Sequence, residues 1–375
     1  MSKEPLNTMA AQKVTEADVL RALSTVQDPD LHRDLVSLGM IEKLSVDNDA
    51  VSFTVVLTTP ACPLKGKIES DCRRAVSAVP GVKQIDVTMD ARVPTGRGQR
   101  GKQGVPNVSN IIAVASGKGG VGKTTVAVNV ALALSETGAR VGVLDADVTG
   151  PNVPIMLGVS GEPQAVNGKI EPLTAYGVKV ISISFFVPEG TPVIWRGPMV
   201  GGAIQQFLND VSWGQLDYLV VDLPPGTGDA SISLAQLIPL SGVVIVSTPQ
   251  DVALLDATKS LAMFQKLEAP IVGLVENMSY FVCPHCNERV DIFGHGGAEQ
   301  AAERLNIPFL GRVPLTPEIR VGGDQGVPVL RSNPESVEAD AFRQIAAQIA
   351  ARISVLSLGP GAKRPTWVPL PMAQS

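Results

Sequence analysis

The chain has 375 residues, 45% of them hydrophobic, with a formal net charge of -5 and aromatics at only 4%, which is enough apolar material for two buried cores. That balance excludes a globally basic nucleic-acid binder and a base-stacking platform, and no run reaches the roughly eighteen apolar residues of a membrane helix. The opening MSKEPLNTMAAQK has no apolar signal core, so a cytoplasmic location is expected, and Cys62, Cys72, Cys283 and Cys286 suit thiol or metal chemistry better than a disulfide frame.

Residues 14–90 read as a small α+β domain. Thr15 and Asp18 form a capping-box start, Val19, Leu23 and Val26 make one helical stripe, and Asp28-Pro29 is expected to end it. Val51, Phe53, Val55 and Leu57 alternate as a strand opposite Ile41 to Val46, across an Asp47-Asn48-Asp49 turn. A helix from Leu64 to Val79 and a strand from Ile85 to Met89 complete an α-β-β-α-β order. Cys72 falls on the apolar helix face and reads as core, whereas Cys62 sits in a loop, where packing and function are equally open.

Residues 91–108, ARVPTGRGQRGKQGVPNV, hold four glycines, two prolines, four basic residues and no acid. This composition predicts a flexible basic linker spanning roughly 20 to 25 Å.

The stretch from Ile111 to Thr125, IIAVASGKGGVGKTT, organises the remainder of the chain. An apolar strand runs into a loop whose glycines Gly117, Gly119, Gly120 and Gly122 let backbone N–H groups turn inward, facing the positive end of the next helix. Gly117 to Thr124 matches G-x-x-x-x-G-K-[ST], with Lys118, Val121 and Thr125 in or beside the loop, Lys123 for the β- and γ-phosphates of ATP, and Thr124 for Mg2+. A glycine-rich turn alone would be weak, but strand, helix and the Lys-Thr ending agree.

From about 109 to 355 strands and helices alternate, predicting a doubly wound, mostly parallel α/β sheet of the P-loop NTPase kind. Strands are expected at Ile111 to Ala115, Val141 to Leu144, Val178 to Ile183, Tyr218 to Val221, Val243 to Val246, Ile271 to Val275 and Pro308 to Val313. Helices are expected to fill the gaps, including Thr125 to Thr137, Ala230 to Pro239, Val252 to Leu267 and Glu335 to Ile353. Residues 356–375 read as a disordered tail.

Two strands deliver carboxylates at their C-terminal ends, in DADVTGPN and DLPPGTGD. Asp222 is the candidate for the Mg2+ shell, and Gly226, after two prolines, offers an N–H to a γ-phosphate. SYFVCPHCNERVDIFGHGGAEQ, residues 279–300, breaks the α/β pattern with Cys283-Pro284-His285-Cys286. Two thiolates make half of a tetrahedral site, so a symmetric dimer would supply four. Zinc is equally open, held by all four thiolates or by Cys283, Cys286 and His285 or His295 of one chain, as are a redox disulfide and simple packing.

GKGGVGKT resembles the deviant Walker A motif of the MinD/ParA/ArsA class of ATPases. The likeness implies that Lys118 reaches phosphates bound by a partner subunit, and hence a homodimer with nucleotide at its interface. It further implies that Asp147 orients the attacking water with Asp145 in support, that Asn277 contacts adenine, and that Pro314 to Pro317 close over the base. DPDL, LVSLGMI and TTPACPLKGKIESDC resemble a small iron-sulfur-assembly domain, in which Cys62 matches the functional cysteine.

Together with NMSYFVCPHC and IFGHGGAEQ, these motifs resemble the Mrp/ApbC family of iron-sulfur cluster carrier ATPases over nearly the whole chain, to about residue 330. The resemblance implies a labile 4Fe-4S cluster bridged by Cys283 and Cys286 of two chains and passed to apo iron-sulfur proteins, with cluster-assembly scaffold proteins as further partners and neither nucleic acid nor membrane. The N-terminal four-cysteine site of some eukaryotic relatives is absent. A MinD/ParA-like positioning switch and an ATP-driven electron donor like the nitrogenase iron protein are the rival readings.

Overall fold

Thr15 starts the first helix as its spacing to Asp18 dictates: the Thr15 hydroxyl accepts the Asp18 N–H and the Asp18 carboxylate accepts the Thr15 N–H, both at 3.3 Å. The computed structural model describes residues 13–95, 104–187 and 197–358, which fall into two compact units divided between Arg92 and Val93.

In the first unit, α1 (Glu16–Leu23) stops short of the expected Asp28-Pro29 boundary. Ser24 and Thr25 turn their hydroxyls back onto the carbonyls of Arg21 and Ala22, an alternative to extending the ladder. Gln27–Asp28 then pairs with Arg33–Asp34 instead. Strands β1 (Ile41–Asp47) and β2 (Ala50–Leu57) are antiparallel, and β3 (Gln84–Ala91) lies parallel to β2. A parallel neighbour needs a crossover, which α2 (Lys65–Ser77) provides. Its Ile68, Cys72 and Val76 meet Phe53, Val55, Leu57, Val19 and Leu23 in one core. Burial there pushes the Cys72 thiol up to about 11, so it packs as a small apolar group.

Of the expected linker, residues 96–103 lie outside the described residues, and its described ends are packed rather than loose. Ala91 closes β3, Val105 and Val108 enter the core of the second unit, and the Asn110 amide donates to the Pro94 carbonyl at 3.0 Å. Val105 and Val108, packed into that core, are what the compositional reading passed over.

The second unit runs β4 (Val108–Ser116), α3 (Lys123–Glu136), β5 (Val141–Asp145), α4 (Val153–Leu157), β6 (Leu173–Ala175), β7 (Val178–Ser182), α5 (Gly197–Asp210), β8 (Leu216–Asp222), α6 (Asp229–Leu237) and β9 (Gly242–Ser247). It continues through α7 (Asp251–Lys266), β10 (Ile271–Glu276), α8 (Gly297–Arg304), β11 (Phe309–Arg312), α9 (Pro317–Asp324), α10 (Val329–Ser332) and α11 (Val337–Leu358). The sheet order is β6-β7-β5-β8-β4-β9-β10-β11. Every pair is parallel except β6 with β7, an antiparallel edge that sequence patterning missed. Strand β4 is central and buried on both faces, which is why its residues show no alternation. The expected α/β architecture, a doubly wound sheet preceded by a small α+β domain, is what forms.

Alternate residues Ile111, Ala113 and Ala115 face α5, α6, α7 and α8, while α3 and α11 pack on the opposite side. Helix α3 is buried continuously from Val126 to Leu134 because the sheet and α11 enclose it. Helix α11 reaches Leu358, past the expected boundary, and residues 359–375 lie outside the described residues. Among the described residues, no helix is long and apolar enough to cross a membrane.

Trp213 anchors the end of the sheet at which β5 and β8 begin. It is 2% exposed, donates its indole N–H to the Phe207 carbonyl at 2.9 Å, and lies over Gly142, where a side chain would strike the ring. Trp213→Ala therefore lowers unfolding stability by about 3–5 kcal/mol through cavity and lost hydrogen bond. Urea unfolding measures this, and a loss below about 1 kcal/mol contradicts the anchoring role.

Candidate functional site

Three parallel strands end side by side. Asp222 of β8 is in register with Asp145 of β5 and with Val114 of β4, so the two carboxylates and the loop after Ser116 emerge at one sheet edge. Gly122 adopts φ 79 as it opens α3, and a side chain there would collide with the Asn277 amide. Gly117 is pressed against the backbone of α7 at Asp256 and Ala257. Neither position has room for a Cβ, so glycine is required by packing at both and at Gly122 by turn geometry as well.

Lys118, Gly119, Gly120, Gly122, Lys123, Thr124, Thr125 and Asp147 line a cleft of about 380 Å3, and Val121 is buried behind them. The Lys123 ammonium, 6% exposed, lies 2.7 Å from Asp222 Oδ1 and 3.5 Å from Asp147 Oδ2. The Thr124 hydroxyl donates to Asp222 Oδ2 at 2.7 Å. Thr124 and Asp222 are thus a hydroxyl and a carboxylate oxygen side by side, a donor set suited to Mg2+. Lys118 is half-buried at the cleft and forms no ion pair among the described residues.

Asp145 has no cation bonded to it among the described residues. It accepts the Asp147 N–H at 3.2 Å, the Val153 N–H at 3.3 Å and the Ser182 hydroxyl at 3.0 Å. Burial first, and the neighbouring Asp222 second, push its carboxyl up to about 8. Burial also raises Asp222, opposed by Lys123 and by hydrogen bonds from Lys123 and Thr124.

Asn277 and Gly226 both hold the loop through hydrogen bonds within the chain. The Asn277 amide donates to the Val121 carbonyl at 2.8 Å, gripping the phosphate loop from behind. The Gly226 N–H donates to the Ser116 carbonyl at 2.9 Å, so it closes the loop base. Asn152, Met156, Pro225 and Asp324 also line the cleft. Asn152 and Pro225 belong to DADVTGPN and DLPPGTGD, but Met156 and Asp324 arrive through α4 and α9, whose Gly158 and Gly326 backbones touch. No local pattern announces such a contact.

The cysteine pair sits on a short hairpin in which Phe281–Val282 pairs with Arg289–Val290. Cys283 is half-buried, Cys286 is exposed, and both are free. Backbone N–H groups of Cys286 and His285, then the Cys286 thiol, hydrogen-bond to the Cys283 sulfur and draw its pKa below the usual cysteine range. His295 Nδ1 lies 2.7 Å from the Arg289 guanidinium. No three metal-donor side chains converge among the described residues, so neither His285 nor His295 is gathered with both cysteines into a ready-made set. Cys62 differs: burial first, with Asp28 and Asp30 adding to it, pushes its thiol up.

A family model described as an iron-sulfur cluster assembly protein matches residues 16–87, and one described as NUBPL iron-transfer P-loop NTPase matches residues 107–350. An iron-sulfur cluster carrier protein of Synechocystis is 51% identical over 351 residues, covering 92% of this chain and 99% of that protein. The Escherichia coli K12 protein of the same description is 40% identical over 339 residues, covering 90% and 92%. Among solved structures, a nucleotide-binding protein of Archaeoglobus fulgidus in complex with ADP superposes with a TM-score of 0.56 at 37% identity, covering 64% of this chain and 93% of that one. A phosphate loop at the edge of a parallel sheet, a cysteine hairpin beyond it and these matches converge: the chain belongs to the NUBPL iron-transfer P-loop NTPase family.

Proposed function

We propose that this protein is an ATP-hydrolysing iron-sulfur cluster carrier that works as a homodimer and hands a labile 4Fe-4S cluster to apo-proteins. The observation that carries this reading is the hairpin: two accessible thiols, one with a lowered pKa, and no third donor near them among the described residues. A cubane takes four thiolates, so two copies of the hairpin meeting across a two-fold axis complete the set. Val282, Val290 and Ile292 on and beside the hairpin are 41%, 47% and 52% exposed, apolar surface that such a meeting would cover. The names of the relatives supply the cargo.

The nucleotide chemistry follows from the cleft. Lys123, held on Asp222 and Asp147, would exchange those carboxylates for phosphate oxygens when ATP enters, and Lys118 would reach across to the partner's nucleotide. Thr124 and Asp222 would hold Mg2+, which neutralises phosphate charge. Asp147, whose carboxylate accepts the Thr149 hydroxyl at 2.6 Å, would orient water, with Asp145 bonded to its N–H. Asn277 would set the adenine against the loop it grips.

Anaerobic reconstitution tests the cargo site: Cys283→Ala and Cys286→Ala each lose bound iron and sulfide, and undiminished loading in both sinks it. Lys123→Ala lowers ATP turnover by at least about 10²-fold, the scale of removing one preorganised charge donor; turnover near the native rate shows the loop to be misassigned. Asp145 generates a pH prediction. A carboxyl raised from 3.8 to about 8 keeps its proton in the fold, so its stabilising contribution is present below about pH 4 and is lost as the pH climbs through 8. In thermal unfolding of the nucleotide-free protein, Asp145→Asn, which cannot ionise, gains on the native chain across that window. Parallel pH curves for the two proteins contradict the assignment.

A further inference from the structure

The carboxylate of Glu276 takes no part in the nucleotide chemistry and is fully buried, 0% exposed at the end of β10. Burying an acid requires strong compensation, so its partners show what it is held for. One oxygen, Oε1, accepts the Ser279 hydroxyl at 2.6 Å, and Oε2 accepts the Ala298 N–H at 2.8 Å. Arg312, in register with Glu276 on β11, brings its Nε to 3.7 Å of Oε1 while pairing with Glu299.

Ser279 and Ala298 are the two feet of the segment that carries the cysteine hairpin, one where the chain leaves β10 and the other in the first turn of α8. A single side chain therefore pins both ends of the loop that presents Cys283 and Cys286. The residue next to it in sequence is Asn277, whose amide donates to the Val121 carbonyl in the phosphate loop and packs against Gly122. Nucleotide loop, Asn277, Glu276 and both hairpin feet are thus joined by hydrogen bonds and one peptide bond, and Glu276 is itself the last residue of β10.

The geometry points to Glu276 as the positioning residue that links nucleotide occupancy of the phosphate loop to the placement of the two thiols. When phosphates displace the Lys123 contacts and reshape the loop, Val121 and Asn277 move with it. Glu276 passes that displacement to both hairpin feet at once. Rigid elements with few alternative arrangements are what carry such coupling, and a clamp on one foot only would let the hairpin swing on the other. The functional consequence, nucleotide control over cluster hold and release, rests on the carrier reading, but the mechanical link does not.

The test uses the full-length, cluster-free, reduced protein. Alkylation of Cys283 and Cys286 by iodoacetamide is followed peptide by peptide by mass spectrometry, without nucleotide and with Mg-ADP or a non-hydrolysable Mg-ATP analogue. In the native chain the rate changes by about fivefold or more with nucleotide, the lower end of ordinary allosteric coupling. Glu276→Gln keeps the size but turns an amide N–H toward one of the two donors, so one of the two side-chain ties is lost. It reduces the nucleotide-dependent change to less than about twofold while nucleotide affinity, read by calorimetry, stays close to native. Ser279→Ala, a milder change that removes one tie, gives an intermediate ratio and keeps the test decisive should Glu276→Gln fail to fold. A native-like ratio in the variants, or no nucleotide effect in the native chain, overturns the proposal. Because no cluster is present, failure here is distinct from failure of Cys283→Ala and Cys286→Ala to lose iron.

Discussion

A buried ammonium surrounded by carboxylates is the constraint from which the nucleotide site follows. Lys123, almost without solvent, faces Asp222 and Asp147, while Asp145 lies beside Asp222 in the next strand. One cation cannot neutralise three acids in a dry pocket, so Asp145 keeps its proton and takes hydrogen bonds from Asp147, Val153 and Ser182. The result is a site balanced for exchange. In the proposed function, phosphate would bring negative charge that Lys123 could follow, and the carboxylates it leaves would take up a divalent cation.

The thiol end of the molecule obeys the opposite logic. Beside the phosphate loop Lys123 and all three aspartates are bonded to partners, whereas the cysteine hairpin is small, half-exposed and short of ligands. A turn whose N–H groups point at Cys283 sulfur stabilises thiolate character without enclosing it. In the proposed function, half a ligand set per chain would suit a cargo that is released, since a closed four-ligand site inside a single subunit would hold its metal as structure.

Much of this organisation was legible in the chain. The run from Ile111 to Thr125, the aspartates at two strand ends and the close spacing of Cys283 and Cys286 are local signals, each contained within about fifteen residues, and local chemistry suffices to read them. The resemblance of the first domain to an iron-sulfur-assembly module was carried by equally local motifs. Strand positions in the sheet were recovered because both-face burial demands continuous apolar runs. The edge strand Leu173–Ala175 and the packing of Val105 escaped, as their residues satisfy demands made by distant neighbours rather than by their own periodicity.

The amino-acid sequence by itself determined the phosphate loop, the succession of buried parallel strands, and the supply of two thiols per chain, because backbone torsions, strand burial and ligand count are properties of contiguous residues. Only the tertiary structure decided that Asn277 grips Val121, that Asp145 rather than Asp222 stands without a cation partner, and that Glu276 fastens both feet of the cysteine hairpin. Those outcomes depend on which charges are enclosed together and how much water is shut out, and desolvation is set by the packing of segments far apart in the chain.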